Sequence, residues 1–435
     1  MNIKHVALAL LLLPLHGQEN PNRFKKIPVL PKNPNDLPII VVNRIEHFWV
    51  TKKTLHQWRA SHPDQKISRD LVSSWVDQEQ ASIAETFFFN TRLDQNFELE
   101  SGQHLIYPTQ YDPPKFLGEW NIPTSFDTKL LGHHVETIFN NDDQDRLHAK
   151  LTFGKVQLVG SDSHSSFIEE TRSPDDLFMP KFKANRQRCA MTYAEGVHHL
   201  AGIFNLIEDE AKALLIFSEA KGVALDPISR NKRAGDSSKV ATVSCDFIDL
   251  SIEIWTKYCR GKTPDQLRTE TATWAASLLQ SQKAIRLKTF SKEILWGEKS
   301  DLNPNGSLSS FASSYEPTDP SKRLSPSNPL TPINIVDGSK DIVLELTPEV
   351  TRSGHILVTY IWQMNSLRKE YVIHRVSDGE QWISDAWAPC FSFINQSGAI
   401  FLKPGENTLM GAFPVEGDQA ALFTAKMRLF FLKAE

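Results

Sequence analysis

Four histidines stand in two adjacent pairs, His133-His134 and His198-His199. Imidazole is the side chain that most readily ligates a metal or moves a proton near neutral pH. Adjacent residues of a strand project to opposite faces, so neither pair can chelate through both rings. Neither pair is followed by a carboxylate at a usual zinc spacing. Both are read as ordinary strand histidines, and no metal or other cofactor is expected. The run Ser161-Asp-Ser-His-Ser-Ser166 holds the residue types of a hydrolase but lacks the GxSxG turn that presents a nucleophile. Asn140-Asn-Asp-Asp-Gln-Asp145 lacks the central Gly and distal Glu of a calcium loop and reads as a hairpin turn. Glu169-Glu170 and Asp175-Asp176 are adjacent in polar sequence, with no spacing that sets two carboxylates across a cleft. P-loop, GxGxxG and HExxH motifs are absent. No catalytic residue is assigned, and the chain reads as a non-enzyme. Trp382 and Trp387, just before a hairpin, offer an aromatic platform for a glycan or partner, although burial in a sheet core is the commoner fate of indoles.

The elements that position these residues are mostly strands. An opening apolar run, Pro38 to Val50, recurs as Val240 to Leu250, and each leads into helical sequence. Thr263-Pro-Asp-Gln266 is a capping box with Pro at the first helical position. Leu267, Thr271, Trp274, Ala275, Leu278 and Leu279 then recur at helical spacing. In the first half Ser68 is the cap, followed by Leu71, Val72, Trp75 and Val76. Alternating strands follow: Phe87–Arg92, Phe97–Tyr107, Phe126–Phe139, Arg146–Val159, Phe182–Tyr193, Val197–Phe204 and Lys212–Ala220. In the second half Ile342–Thr347, Ile356–Met364, Phe391–Leu402 and Thr408–Phe413 do the same.

The two halves match in register. Pro180, Phe182, Ala190, Gly196, Leu200, Gly202 and Phe204 correspond to Pro389, Phe391, Ala399, Gly405, Leu409, Gly411 and Phe413, every pair 209 residues apart. Trp75 matches Trp274 at an offset of 199, Tyr111 matches Tyr315 at 204, and the closing strand from Ala213 matches that from Met427 at 214. Offsets that rise along the chain are what a duplication with loop insertions produces. The expected organisation is a signal peptide at 1–17, an extended Pro-rich lead-in at 18–38, one repeat at 39–220, a linker at 221–239 and a second repeat at 240–435, with a flexible loop at 301–332.

Export is expected because Lys4 and His5 precede the apolar run Val6–Leu15, which has signal-peptide length and is too short to span a bilayer. No later segment approaches 18 apolar residues, so no transmembrane helix is expected. The four cysteines, Cys189, Cys245, Cys259 and Cys390, have no CxxC spacing and read as buried thiols, with Cys245 and Cys259 the nearest pair. A formal charge of −4 gives no basis for nucleic-acid binding.

A helix, then strands, then Ser101-Gly102-Gln103 leading to Ile106-Tyr107-Pro108-Thr109, resembles the β-domain of the secretins of type II and type III secretion systems. Gly196-Val-His-His-Leu-Ala-Gly202-Ile is similar to that family's glycine-turn hairpin, and Leu214-Leu-Ile-Phe217 to its closing strand. The departures are Ala201 and Met410 where the family has Gly. Only Asn205 to Ala211 stands where the family carries its long gate loop, and the small preceding ring-forming domains are missing. The resemblance, which extends to exported proteins of the Planctomycetes–Verrucomicrobia group, implies an α+β, mostly β fold. It implies two tandem secretin-like units, each with an N-terminal strand, a helix packed on a sheet, and antiparallel hairpins. The expected role is structural, in the periplasm or associated with the outer membrane, through self-association or an envelope partner and short of a complete pore. The alternatives are a carbohydrate- or protein-binding module using Trp382 and Trp387, and behind it an exported hydrolase.

Overall fold

A computed structural model of the chain describes residues 38–112, 122–141, 146–164, 177–194, 196–205, 211–226, 228, 240–302, 308–322, 325, 327–339, 342–377, 382–415 and 426–435. The segment expected as a signal peptide and nearly all of the expected lead-in lie outside the described residues. Residues 35–435 form one compact unit.

The chain alternates strand and helix in the same order twice. In the first half β1 (Ile39–Thr51), α1 (Lys52–Ser61), α2 (Arg69–Asp77) and β2 (Ala81–Arg92) precede β3 (Asn96–Asp112), β4 (Ile122–Asn141), β5 (Leu147–His164), β6 (Leu177–Thr192), β7 (His199–Asn205) and β8 (Lys212–Ala224). The second half runs β9 (Val240–Ser251), α3 (Ile252–Cys259), α4 (Pro264–Gln280), β10 (Ala284–Leu295), β11 (Ser300–Asp301), β12 (Leu308–Pro317), β13 (Leu330–Ser339), β14 (Ile342–Val350), β15 (Ile356–Ser377), β16 (Trp382–Leu402), β17 (Thr408–Val415) and β18 (Lys426–Ala434).

Each helix starts where a hydroxyl can satisfy an orphan amide. Thr51, Ser68 and Ser251 accept from the amides of Thr54, Leu71 and Ile254, and Thr263 with Gln266 closes the capping box at α4. The expected helices are α2 and α4. Each half carries one more, α1 or α3, which begins at the residue after its strand ends.

Two eight-stranded antiparallel sheets hold the chain together. Their orders are β10-β9-β18-β17-β2-β1-β8-β7 and β11-β14-β15-β16-β3-β4-β5-β6. The first sheet is covered on both faces, which is why its strands read as near-continuous apolar runs. Phe48 and Val50 of β1 pack against Leu55, Val72 and Trp75 of the helices. Val41 and Ile45, on the opposite face of the same strand, share a core with Phe97, Val135 and Phe153 of the second sheet. The second sheet alternates more plainly: Ile342, Leu344 and Leu346 of β14 are buried and the residues between them half-buried. Phe89 of β2 stacks on Phe97 of β3 at a centroid distance of 4.0 Å, joining the sheets at the centre.

The stretch 301–332, expected as a loop, contains β12 and the first residues of β13, which pair from Leu308↔Ser339 to Pro317↔Leu330. The two strands are the counterpart of the distal part of the β3–β4 hairpin. There the backbones meet so closely at Gly102 and Gly132 that a Cβ on Gly102 would lie 2.0 Å from the Leu131 carbonyl oxygen. Ser-rich strands have weak intrinsic β preference, and cross-strand pairing supplies what composition does not. All four cysteines are free thiols; burial pushes the Cys245 thiol up to about 12.

Truncating Phe89 to Ala removes the ring that spans both sheets. The expected loss is about 3–5 kcal/mol of unfolding free energy, read as a drop in the midpoint of urea denaturation.

Candidate functional site

The strand order of the first sheet is one four-strand pattern written twice. β2-β1-β8-β7 repeats as β10-β9-β18-β17, and the two sets join where β17 lies against β2. In the second sheet β3-β4-β5-β6 is matched by β11-β14-β15-β16, joined where β16 lies against β3. Both joints run head to tail: the far edge of the second set meets the near edge of the first. At the β17–β2 joint Gly411 faces Phe89 and Ala412 faces Phe88. At the other joint eight residue pairs run from Cys390↔Leu105 to Ser397↔Glu98.

Side chains reinforce the joints. The Asn90 side-chain amide donates to the Leu409 carbonyl, and Ser101 Oγ donates to the Pro414 carbonyl at 3.0 Å. Arg44 of β1 donates to the carbonyls of Cys259 (3.1 Å) and Lys262 (3.0 Å) at the end of α3. Its other terminal nitrogen lies 2.6 Å from Glu219. Arg69 binds Glu46 through two nitrogens, at 3.0 and 2.9 Å. His198 joins the same buried network 3.2 Å from Glu219.

The outer strands of each sheet are the counterparts of the strands already joined. β7 carries a bulge between Leu200 and Gly202, as β17 does between Leu409 and Gly411. β10 carries a shift between Arg286 and Lys288 where β2 has one opposite His47 and Phe48. On β10, Ile285, Leu287 and Leu295 are exposed by 62%, 43% and 50%, an unusual apolar content for an edge strand.

His133 and His134 point to opposite faces, as expected for adjacent strand residues; His133 meets a carboxylate of the other sheet, and His134 two carboxylates of the neighbouring strand β3. His133 Nε2 lies 2.8 Å from Glu85 Oε2, which also lies 3.2 Å from His47 Nδ1. His134 Nδ1 lies 3.5 Å from Glu100 and 3.9 Å from Glu98. Both sit in three-residue groups whose donor atoms lie within 4.8 Å of one another. A search along local spacing misses them because His47, Glu85 and His133 belong to three strands. The available signal was polar residues, Asn43-Arg44 and Glu46-His47, set within the apolar run of β1.

Trp382 and Trp387 lie on β16, opposite Ser377 and Val372, and their side chains fall outside the described residues. Ser161 to His164 end β5, while Ser165-Ser166, Glu169-Glu170, Asp175-Asp176 and the turn residues 142–145 are outside the described residues. Among the described residues no helix is long and apolar enough to cross a membrane.

No protein-family model matches the chain, and comparison with curated proteins gives no match. Among solved structures it is similar to the type II secretion system secretin GspD of E. coli K12, at 9% identity and TM-score 0.22, over 43% of this chain and 48% of that one. It is similar also to the Klebsiella pneumoniae type II outer membrane complex of PulD, PulS and the PulC HR domain, at 12% identity and TM-score 0.22, over 57% and 48%. The V. cholerae type IV competence pilus secretin PilQ aligns at 6% identity and TM-score 0.23, over 92% of this chain and 61% of that one. The chain thus spans about half the length of the type II chains it matches.

Buried charge makes this region pH-sensitive. Burial holds His47 at about 4, although Glu85 opposes it, and burial with Arg44 holds His198 at about 4. Burial likewise holds His104 and His355 at about 4. Burial pushes Glu46 and Glu85 upward, but Arg44 with Arg69, and His133 with His47, outweigh it and keep both carboxyls low. Two groups oppose the trend: a hydrogen bond to Glu100 raises His134, and burial raises Glu219. Between pH 6.5 and 4 the unfolded chain takes up protons that the four depressed histidines refuse when folded, so stability falls as pH falls through that window. The low carboxylates extend the loss below their unfolded value of 4.5. The urea midpoint is therefore expected to decline steadily from pH 6.5 to 4. Separately, Arg44→Met leaves Glu219 without its ion pair and the α3 carbonyls without their donor. It is expected to cost about 3–5 kcal/mol by the same measurement.

Proposed function

We propose that this chain is a structural, non-catalytic component of a cell envelope that self-associates head to tail through its open sheet edges. One observation carries the reading. The joint between the halves, β17 on β2 and β16 on β3, leaves its own counterparts, β7 with β6 and β10 with β11, at the two ends of the same molecule. A second copy can therefore present β10 to β7 with the bulges already matched, and the exposed Ile285 and Leu287 lie on the strand so covered. Antiparallel edge pairing supplies affinity through main-chain hydrogen bonds. Head-to-tail contacts of this kind generate closed rings or open filaments, never an isolated two-fold dimer.

The apolar segment near the start of the sequence supports an exported protein, resident in the periplasm or at the outer membrane. The recurring element order supports an origin by duplication of a secretin-like unit of about 39–220, with 240–435 as the second.

The test is covalent capture. Ala412 faces Phe88 in the internal joint, and the corresponding open-edge residues are Ile203 on β7 and Ser291 on β10. Directly opposed antiparallel residues stand within disulfide reach, roughly 4.5–5.5 Å between Cα atoms. The double variant Ile203→Cys, Ser291→Cys is expected to give a ladder of dimers, trimers and larger species under mild oxidation. Each single variant is expected to stop at the background of the four native thiols. A double variant that stays at that background, with the unmodified chain monomeric by light scattering at high concentration, would refute the proposal.

A further inference from the structure

His47, Glu85 and His133 form a buried polar group that the second half does not repeat. His47 on β1 faces Glu85 on β2 in the first sheet, and His133 reaches them from β4 in the second. In the second half the same register positions hold Phe247, Lys288 and Ile342, with Met364 at the place of Lys155. There Phe247 stacks on Phe430 at 4.9 Å and packs on Trp362 at 5.2 Å, an ordinary aromatic core. At the positions of the two imidazoles the second half carries an aromatic and an aliphatic side chain, and with Lys288 it does not repeat the two-imidazole, one-carboxylate set of the first half.

We infer that His47, Glu85 and His133 bind a divalent transition-metal ion of the Zn²⁺ class, clipping the two sheets of the first half together. Two imidazoles and one carboxylate are a donor set suited to zinc and its first-row neighbours, with a fourth position left for water. The spacing is close to what binding needs. Donors about 2.0–2.2 Å from a tetrahedral ion stand roughly 3.3 Å apart, and the two donor separations on Glu85 Oε2 are 2.8 and 3.2 Å. The rings are held by packing: His47 meets Phe87 and Phe153 edge-on at 5.1 and 5.5 Å, and its Nε2 is buried without a hydrogen-bond partner. Glu85 is 23% exposed and gives an ion its way in. Lys155, opposite His133 and 5.3 Å over the Trp49 ring, supplies positive charge to the group in the ion's absence.

The test uses the full chain stripped with a chelator, titrated with Zn²⁺ by calorimetry and with Co²⁺ by visible absorption. One equivalent of each is expected, with the intense d–d bands of low-coordinate Co²⁺ and a raised melting temperature. Glu85→Gln keeps the shape and is expected to weaken Zn²⁺ by more than about tenfold, since even outer-shell losses cost about 10–100-fold. His133→Ile, the residue of the second half, is expected to abolish the Co²⁺ bands while folding normally by circular dichroism. Lys155→Met removes a repelling charge and is expected to tighten binding, an effect that a merely structural cluster would not show. His134→Gln, on the opposite face, is expected to change nothing. Absence of stoichiometric uptake by the unmodified chain, or uptake lost in His134→Gln and retained in Glu85→Gln, would overturn the assignment.

Discussion

Backbone pairing at the two internal joints governs the rest of this structure. A strand edge with unpaired N–H and C=O groups is costly to bury and hazardous to expose. The chain meets this constraint by laying β17 on β2 and β16 on β3, so both sheets run continuously through the molecule. Core packing follows from that continuity. Phe89 and Phe97 stack beside the joints, and Arg44 reaches from β1 to the carbonyls at the end of α3, which a separated pair of domains would leave to water. The polar groups on the helix side of β1 then need one another: Arg44, Glu219, Glu46, Arg69 and His198 exchange charge because the sheet above them admits little solvent.

Much of this was readable in the sequence. The capping box at Thr263 and the strands from Phe87 to Ala220 gave the element order because each depends on neighbours a few residues away. The Gly196–Phe204 and Gly405–Phe413 match was legible for the same reason. α1 and α3 were not readable as separate helices, since Thr51 and Ser251 cap them directly after apolar strands and the hydrophobic run masks the change of period. β12 was hidden by its serines, whose strand is stabilised by a partner and not by composition. His47, Glu85 and His133 were invisible because the register of two sheets, which local spacing cannot contain, brings them together. The local rule applied to His133-His134 was correct in its geometry. It does not reach groups assembled from separate strands.

The halves differ most where chemistry is concerned. One places His47, Glu85 and His133 where the other has Phe247, Lys288 and Ile342. Different side chains occupy the same register, so backbone hydrogen bonding sets the architecture and the interior is free to diverge. The near-contact of Gly102 and Gly132 in one half and the separated β12–β13 hairpin in the other show the same latitude at the distal end of the sheet.

The unreversed strand order has an arithmetical consequence. Because β2-β1-β8-β7 and β10-β9-β18-β17 follow one another in the same sense, the molecule has a direction, and its two ends are chemically unlike. Anything assembled from it inherits that polarity and grows by two units at each step. A closed circle would hold an even number of units, alternating between a histidine-bearing interior and an aromatic one. Its true rotational symmetry would then be half the number of strand sets around it.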